Sequence, residues 1–213
     1  MLFIQATVRG MNTDEWLALL LLCTAVSFTP GPNTTLSTAL AANFGLRRAL
    51  RFVLAVPLGW GALLSLCAAG IGALVVSLPP LRLAVTASGV AYLLWLAYQL
   101  WHAHKLTQAT NRQLNVTFWQ GVMLQFLNIK AWMLALTVVA GWLAGRADIG
   151  PRFAMVLPLL LAFALASNLS YALVGTLLRQ WLADPEHGGR RLRWFNRSMA
   201  AVLVVTAAWM ATV

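Results

Sequence analysis

Phe28-Thr29-Pro30-Gly31-Pro32-Asn33 interrupts an uncharged run that extends from Trp16 to Leu46. A run of that length is long enough to cross a bilayer, because ~20 apolar residues at ~1.5 Å each cover ~30 Å of hydrocarbon. Pro30 and Pro32 each remove a backbone donor and clash with the preceding turn. Gly31 adds backbone freedom between them. A break is therefore expected at membrane depth. Backbone groups left open there survive only where protein or a water-filled cavity satisfies them. A broken helix flanked by Thr29 and Asn33 is a candidate solute site, whereas a single proline kink serves packing alone.

The chain has 213 residues, of which 61% are hydrophobic and 9% charged. Ordinary soluble domains carry about 25% charged residues, so the chain reads as a single integral membrane domain. Its net charge of +10 is read as topological. No soluble module is left to present a basic face to nucleic acid. Cys23 and Cys67 fall inside apolar runs and read as small buried hydrophobes. Trp16, Trp101, Trp119, Trp142, Trp181 and Trp194 fall near expected span ends, where amphipathic rings favour the interface. The first residues do not read as a cleavable signal, and Met11 is an alternative start.

Six spans are expected: Trp16–Asn43, Phe52–Leu78, Leu83–Trp101, Phe118–Leu143, Phe153–Leu178 and Ser198–Val213. Thr13 is the expected cap of the first, with Asp14 and Glu15 in its first turn. Pro57, Gly59 and Gly61 mark a kinkable stretch of the second. Arg47, Arg48 and Arg51 follow the first span, Lys105 and Arg112 the third, and Arg179, Arg190, Arg191, Arg193 and Arg197 the fifth. Only Arg9, Arg82, Arg146 and Arg152 lie at the other ends. The positive-inside bias then places both termini outside the cytoplasm.

Lys130 lies deep within the fourth span, Gln125-Phe126-Leu127-Asn128-Ile129-Lys130. A cation at a helix centre costs ~3 kcal/mol or more, so it should face the bundle interior and meet a partner. Asp14, Glu15, Asp148, Asp184 and Glu186 all lie outside the spans or at their ends. The remaining partners are carbonyls freed at Pro30–Pro32 or an anionic group of a solute. The first and fourth spans both carry a polar break, with Asn33 after one and Asn128 in the other. With three spans per half, the halves (about 13–102 and 116–213) run oppositely. The expected fold is therefore all-α, six transmembrane helices in two inverted three-helix repeats, with the first and fourth helices broken. Half-helix N-termini at such breaks suit a carboxylate.

The sequence resembles the LysE/RhtB amino-acid exporters. The matching residues are Thr29-Pro30-Gly31-Pro32-Asn33, the turn Gly45-Leu46-Arg47-Arg48-Ala49, Gly89-Val90-Ala91-Tyr92-Leu93, and Phe118-Trp119-Gln120-Gly121 leading to Leu127-Asn128-Ile129-Lys130-Ala131. The resemblance implies export of amino acids or close derivatives from the bacterial cytoplasm across the inner membrane, driven by ion gradients. That family typically has proline where Ile129 stands, so the second break is expected to be the weaker one.

Candidate solute-binding residues are Thr29, Pro30, Gly31, Pro32, Asn33, Gln125, Asn128, Lys130, Asn168 and Tyr171. Asn168 and Tyr171 equally fit interhelical hydrogen bonding, and Ser167 and Ser170 fit packing better. Gly141-Trp142-Leu143-Ala144-Gly145 fits close packing within the chain better than a homodimer face. His102-Ala103-His104 has no third ligand and reads as a solvated feature. No cofactor or metal is implied. The absence of intramembrane acids favours a neutral zwitterion over a cationic amino acid or a metal cation. No carboxylate pair or Ser–His arrangement points to an enzyme. An accessory subunit without a solute path leaves Lys130 unexplained.

Overall fold

The computed structural model describes residues 10–103, 116–183 and 189–212. The helices are α1 (Thr13–Phe28), α2 (Pro32–Phe44), α3 (Leu46–Ala68), α4 (Ile71–Ser77), α5 (Pro79–Trp101), α6 (Phe118–Leu127), α7 (Ile129–Val138), α8 (Ile149–Leu182) and α9 (Arg190–Ala211). A π-helical turn, Val139–Leu143, prolongs α7. No strand occurs among the described residues. The chain is all-α, and α3, α5 and α8 are each long and apolar enough to cross a membrane. The pairs α1–α2 and α6–α7, bent by 48° and 71°, bring the spans to five if each pair is one. The expected sixth span falls in α9, which is not among them. Arg190, Arg191, Arg193, Asn196 and Arg197 fill its first turns and shorten its apolar remainder.

Several local expectations are corrected. The cap of α1 is Asn12, not Thr13: Glu15 N donates to Asn12 Oδ1 (2.8 Å) and Asn12 N to Glu15 Oε2 (3.0 Å), a reciprocal box. α3 begins earlier than Phe52 and runs unbroken through Pro57. The interruption falls at Gly70, whose φ of 88° suits glycine. Gly59 serves close packing: a Cβ there would lie 2.8 Å from the Val122 carbonyl oxygen of α6. The Gly141–Gly145 element has no such neighbour among the described residues, since a Cβ on either glycine meets none of them within 4 Å. Cys23 and Cys67 are buried, unpaired thiols. Lys105, Arg112 and His104 lie outside the described residues.

The two ends of the bundle differ in chemistry. At one end Gly45 approaches Arg179, and Asn43, Ala103 and Asn196 are hydrogen-bonded, so Arg47, Arg48 and Arg51 share this end with the arginines of α8 and α9. At the other end Glu15 Oε1 accepts from Arg146 (2.9 Å) and Arg152 (3.0 Å), and Arg152 Nε also bonds both Asp148 carboxylate oxygens (3.0 Å). Arg152, expected in a loop, is buried because α8 starts at Ile149. Trp142 Nε1 donates to the Glu15 carbonyl oxygen (2.9 Å). These bonds fasten the start of α1, which has a lone carboxylate as its link to two guanidinium groups. Glu15→Gln is expected to lower the melting temperature of the detergent-solubilised protein by several degrees. Asp14→Asn, which removes no ion pair found among the described residues, is expected to leave it unchanged.

Candidate functional site

The first break forms as its prolines require. Thr29 leaves the helix in extended backbone (φ −76°, ψ 132°), and Pro32 opens α2 at a position where its missing N–H costs nothing. Gly31 is extended as well (φ −158°), a conformation open to any residue. One carbonyl freed at the break, that of Phe28, accepts from Tyr171 Oη at 2.9 Å. Gly31 N donates to Thr34 Oγ1 (2.9 Å). Asn33 and Thr34, at the second and third positions of α2, carry N–H groups that have no acceptor within the helix.

The second break is the sharper one, at 71° against 48°, contrary to the expectation from Ile129. Asn128 makes it without a proline. Its backbone leaves the helix (φ −97°, ψ 97°) and its Oδ1 accepts from Lys130 N (3.2 Å), capping α7. Trp132 Nε1 donates to the Phe126 carbonyl oxygen (2.8 Å), satisfying a carbonyl at the end of α6. The two breaks meet through Asn33 and Gln125, whose amides exchange bonds of 2.9 and 3.0 Å.

Between the breaks lies a cavity of about 710 Å³. Thr29, Pro30, Gly31, Pro32, Asn33, Asn128, Lys130 and Asn168 line it. Gln125 and Tyr171 do not: Gln125 is fully buried behind Asn33, and Tyr171 holds the Phe28 carbonyl. Asn168 Oδ1 accepts from Ser37 Oγ (2.9 Å), and its Nδ2 donates to the Ala164 carbonyl (2.8 Å), so it both packs and lines the cavity. Ser167, assigned to packing from sequence, also lines the wall. No Asp, Glu or His is among the described lining residues.

Lys130 Nζ is buried with no hydrogen-bond partner among the described residues. It does not cap the carbonyls of the first break. It lies instead against the ring of Trp209 from α9, a cation–π contact. Trp209 and Thr206 are wall residues that the sequence reading missed. Their spacing of one helical turn in an otherwise apolar segment was the available signal. The arrangement offers an unpaired cation and half-helix N–H groups to an anion, beside hydroxyl and amide groups for a second polar group.

The model of a family described as "LysE type translocator" matches residues 24–212. The chain is 31% identical over 181 residues to a cysteine/O-acetylserine efflux protein of Klebsiella pneumoniae subsp. pneumoniae, covering 85% of this chain and 89% of that protein. Proteins of the same description are 29% identical in Salmonella paratyphi A, with the same coverage, and 26% identical in Escherichia coli K12, covering 87% of this chain and 89% of that protein. No solved structure matches the chain. With the family match extending over nearly the whole sequence and including both breaks, the chain belongs to the LysE type translocator family.

Proposed function

We propose that the protein is a secondary transporter that exports a small zwitterion, a neutral amino acid or a derivative of one, from the bacterial cytoplasm across the inner membrane. The observation that carries this reading is Lys130 Nζ, buried and without a hydrogen-bond partner among the described residues, in a cavity between two helix breaks. A carboxylate would sit between Lys130 Nζ and the N–H groups at the start of α2. The substrate ammonium would face the hydroxyl and carbonyl groups of Thr29, Ser167 and their neighbours. The lack of acids among the described wall residues favours a neutral side chain. The efflux relatives make cysteine and O-acetylserine the first solutes to test.

The same proposal takes the fold as six spans in two inverted repeats, 13–102 and 116–213, with the bent pairs α1–α2 and α6–α7 as equivalent broken helices. The clustering of arginines at one end supports placing that end in the cytoplasm and both termini outside.

The test is efflux from cells loaded with cysteine, with O-acetylserine or with amino acids released from dipeptides. Cells carry the wild type, Lys130→Ala or an empty vector. Faster release of one or a few solutes by the wild type alone is expected. Equal release from all three, with the protein shown to be in the membrane, would overturn the proposal.

A further inference from the structure

Among the described residues, none at the basic end lines the cavity. Of α2, only Pro32, Asn33 and Thr34 line it, and the residues beyond, Thr35 to Asn43, are buried. Gly175 of α8 lies so close to the Thr38 carbonyl that a Cβ would overlap it. Beyond this seam Asn43 and Asn196 form a reciprocal amide pair of 2.8 and 3.0 Å, and Asn196 Nδ2 also donates to the Ala103 carbonyl (2.9 Å). The two residues are 2% and 0% exposed. This cluster joins the end of α2, the start of α9 and the residues that follow α5.

We propose that the Asn43–Asn196–Ala103 cluster is the latch that shuts the cavity from the basic end, and that it opens when solute enters from that side. The inference rests on the export reading, which needs an entrance at the cytoplasmic end. The chemistry suits a latch. All three bonds are between neutral groups, so no charge is stranded when they part. The cluster sits in the first turns of α9, flanked by Arg193 and Arg197. Water at that end can take over the amide bonds, which makes opening reversible. Interhelical amide bonds in bilayers are individually weak because such alternative partners exist.

The experiment reads the two sides of the cavity separately. Ser27→Cys, on the cavity wall, is placed in a Cys23→Ala, Cys67→Ala background. A charged, membrane-impermeant methanethiosulfonate is applied to whole cells and to inverted vesicles. Arg47→Cys in the same background reports which preparation exposes the basic end. The parent is expected to react slowly from the basic end. Asn43→Ala/Asn196→Ala, which removes both amides and leaves only the Ala103 carbonyl without its donor, is expected to speed that reaction about tenfold and leave the opposite side unchanged. A variant that merely misfolds speeds both sides together, which overturns the proposal. So does an unchanged ratio between the sides, or no reaction from either.

A second variant closes the same point. Asn43→Cys/Asn196→Cys, bridged by a short bis-methanethiosulfonate, is expected to lose transport until a thiol reductant restores it. Transport unaffected by the bridge overturns the latch. The labelling needs no substrate. If the sidedness shifts but no amino acid is exported, the latch stands and the substrate reading falls. If export holds without a shift, the reverse is true.

Discussion

Lys130→Met is expected to cut export severely and leave the protein folded, with a melting temperature equal to or above that of the wild type. The wild-type ammonium is buried without a hydrogen-bond partner among the described residues, and a lysine at a helix centre costs ~3 kcal/mol on insertion scales. Methionine is unbranched, similar in length and apolar, so the substitution relieves that cost without opening a void. What it takes away is the cation that would face the substrate carboxylate. A hydrogen bond to a charged group contributes ~1.5–3 kcal/mol, so export should fall roughly tenfold to a hundredfold. Efflux and thermal unfolding in detergent, measured on the same preparations, check both halves. A fall in melting temperature together with the loss of export would mean that Lys130 serves the fold, and the proposed site would lose its main support.

Gly175→Val is expected to cause a large loss of folded protein. α2 and α8 pack along one another through Gly175, where a Cβ would overlap the Thr38 carbonyl oxygen. The obstacle is backbone, so no rotamer change relieves it, and the helices must separate along the buried seam that includes Ser37 and Asn168. Overpacking costs ~1–3 kcal/mol and sometimes more, a large share of a total stability of about 5–15 kcal/mol. Gly141→Val, where a Cβ meets nothing within 4 Å, is the control and should leave the yield unchanged. Monodisperse protein recovered in detergent is the measurement. Equal recovery of the two variants would show that the α2–α8 seam can yield.

The contrast between these two glycines shows where sequence reading stopped. Gly141 and Gly145 form a small-residue pattern, yet a Cβ on either meets nothing within 4 Å among the described residues, while Gly175 sits in no such pattern and approaches the α2 backbone closely. The reason is that close approach depends on which helix lies opposite, and no local pattern encodes that. Asn33 and Gln125 were both candidates, yet their mutual pairing, 92 residues apart, follows only from how the breaks meet. Trp209 came beside Lys130 in the same way, from a helix at the far end of the chain.

The sequence by itself determined the membrane class, the break at Pro30–Pro32 and the interior cation at Lys130. Composition, backbone chemistry and the cost of charge in hydrocarbon act on each residue wherever it is placed. Only the tertiary structure decided that Asn128 bends its span more sharply than two prolines bend theirs, and that Arg152 is buried on Glu15 and Asp148. It also decided that Lys130 Nζ meets no hydrogen-bond partner among the described residues. These outcomes depend on which partner each polar group meets across the bundle, and in a low-dielectric interior the partner decides whether such a group caps a break, ties two helices or waits in a cavity.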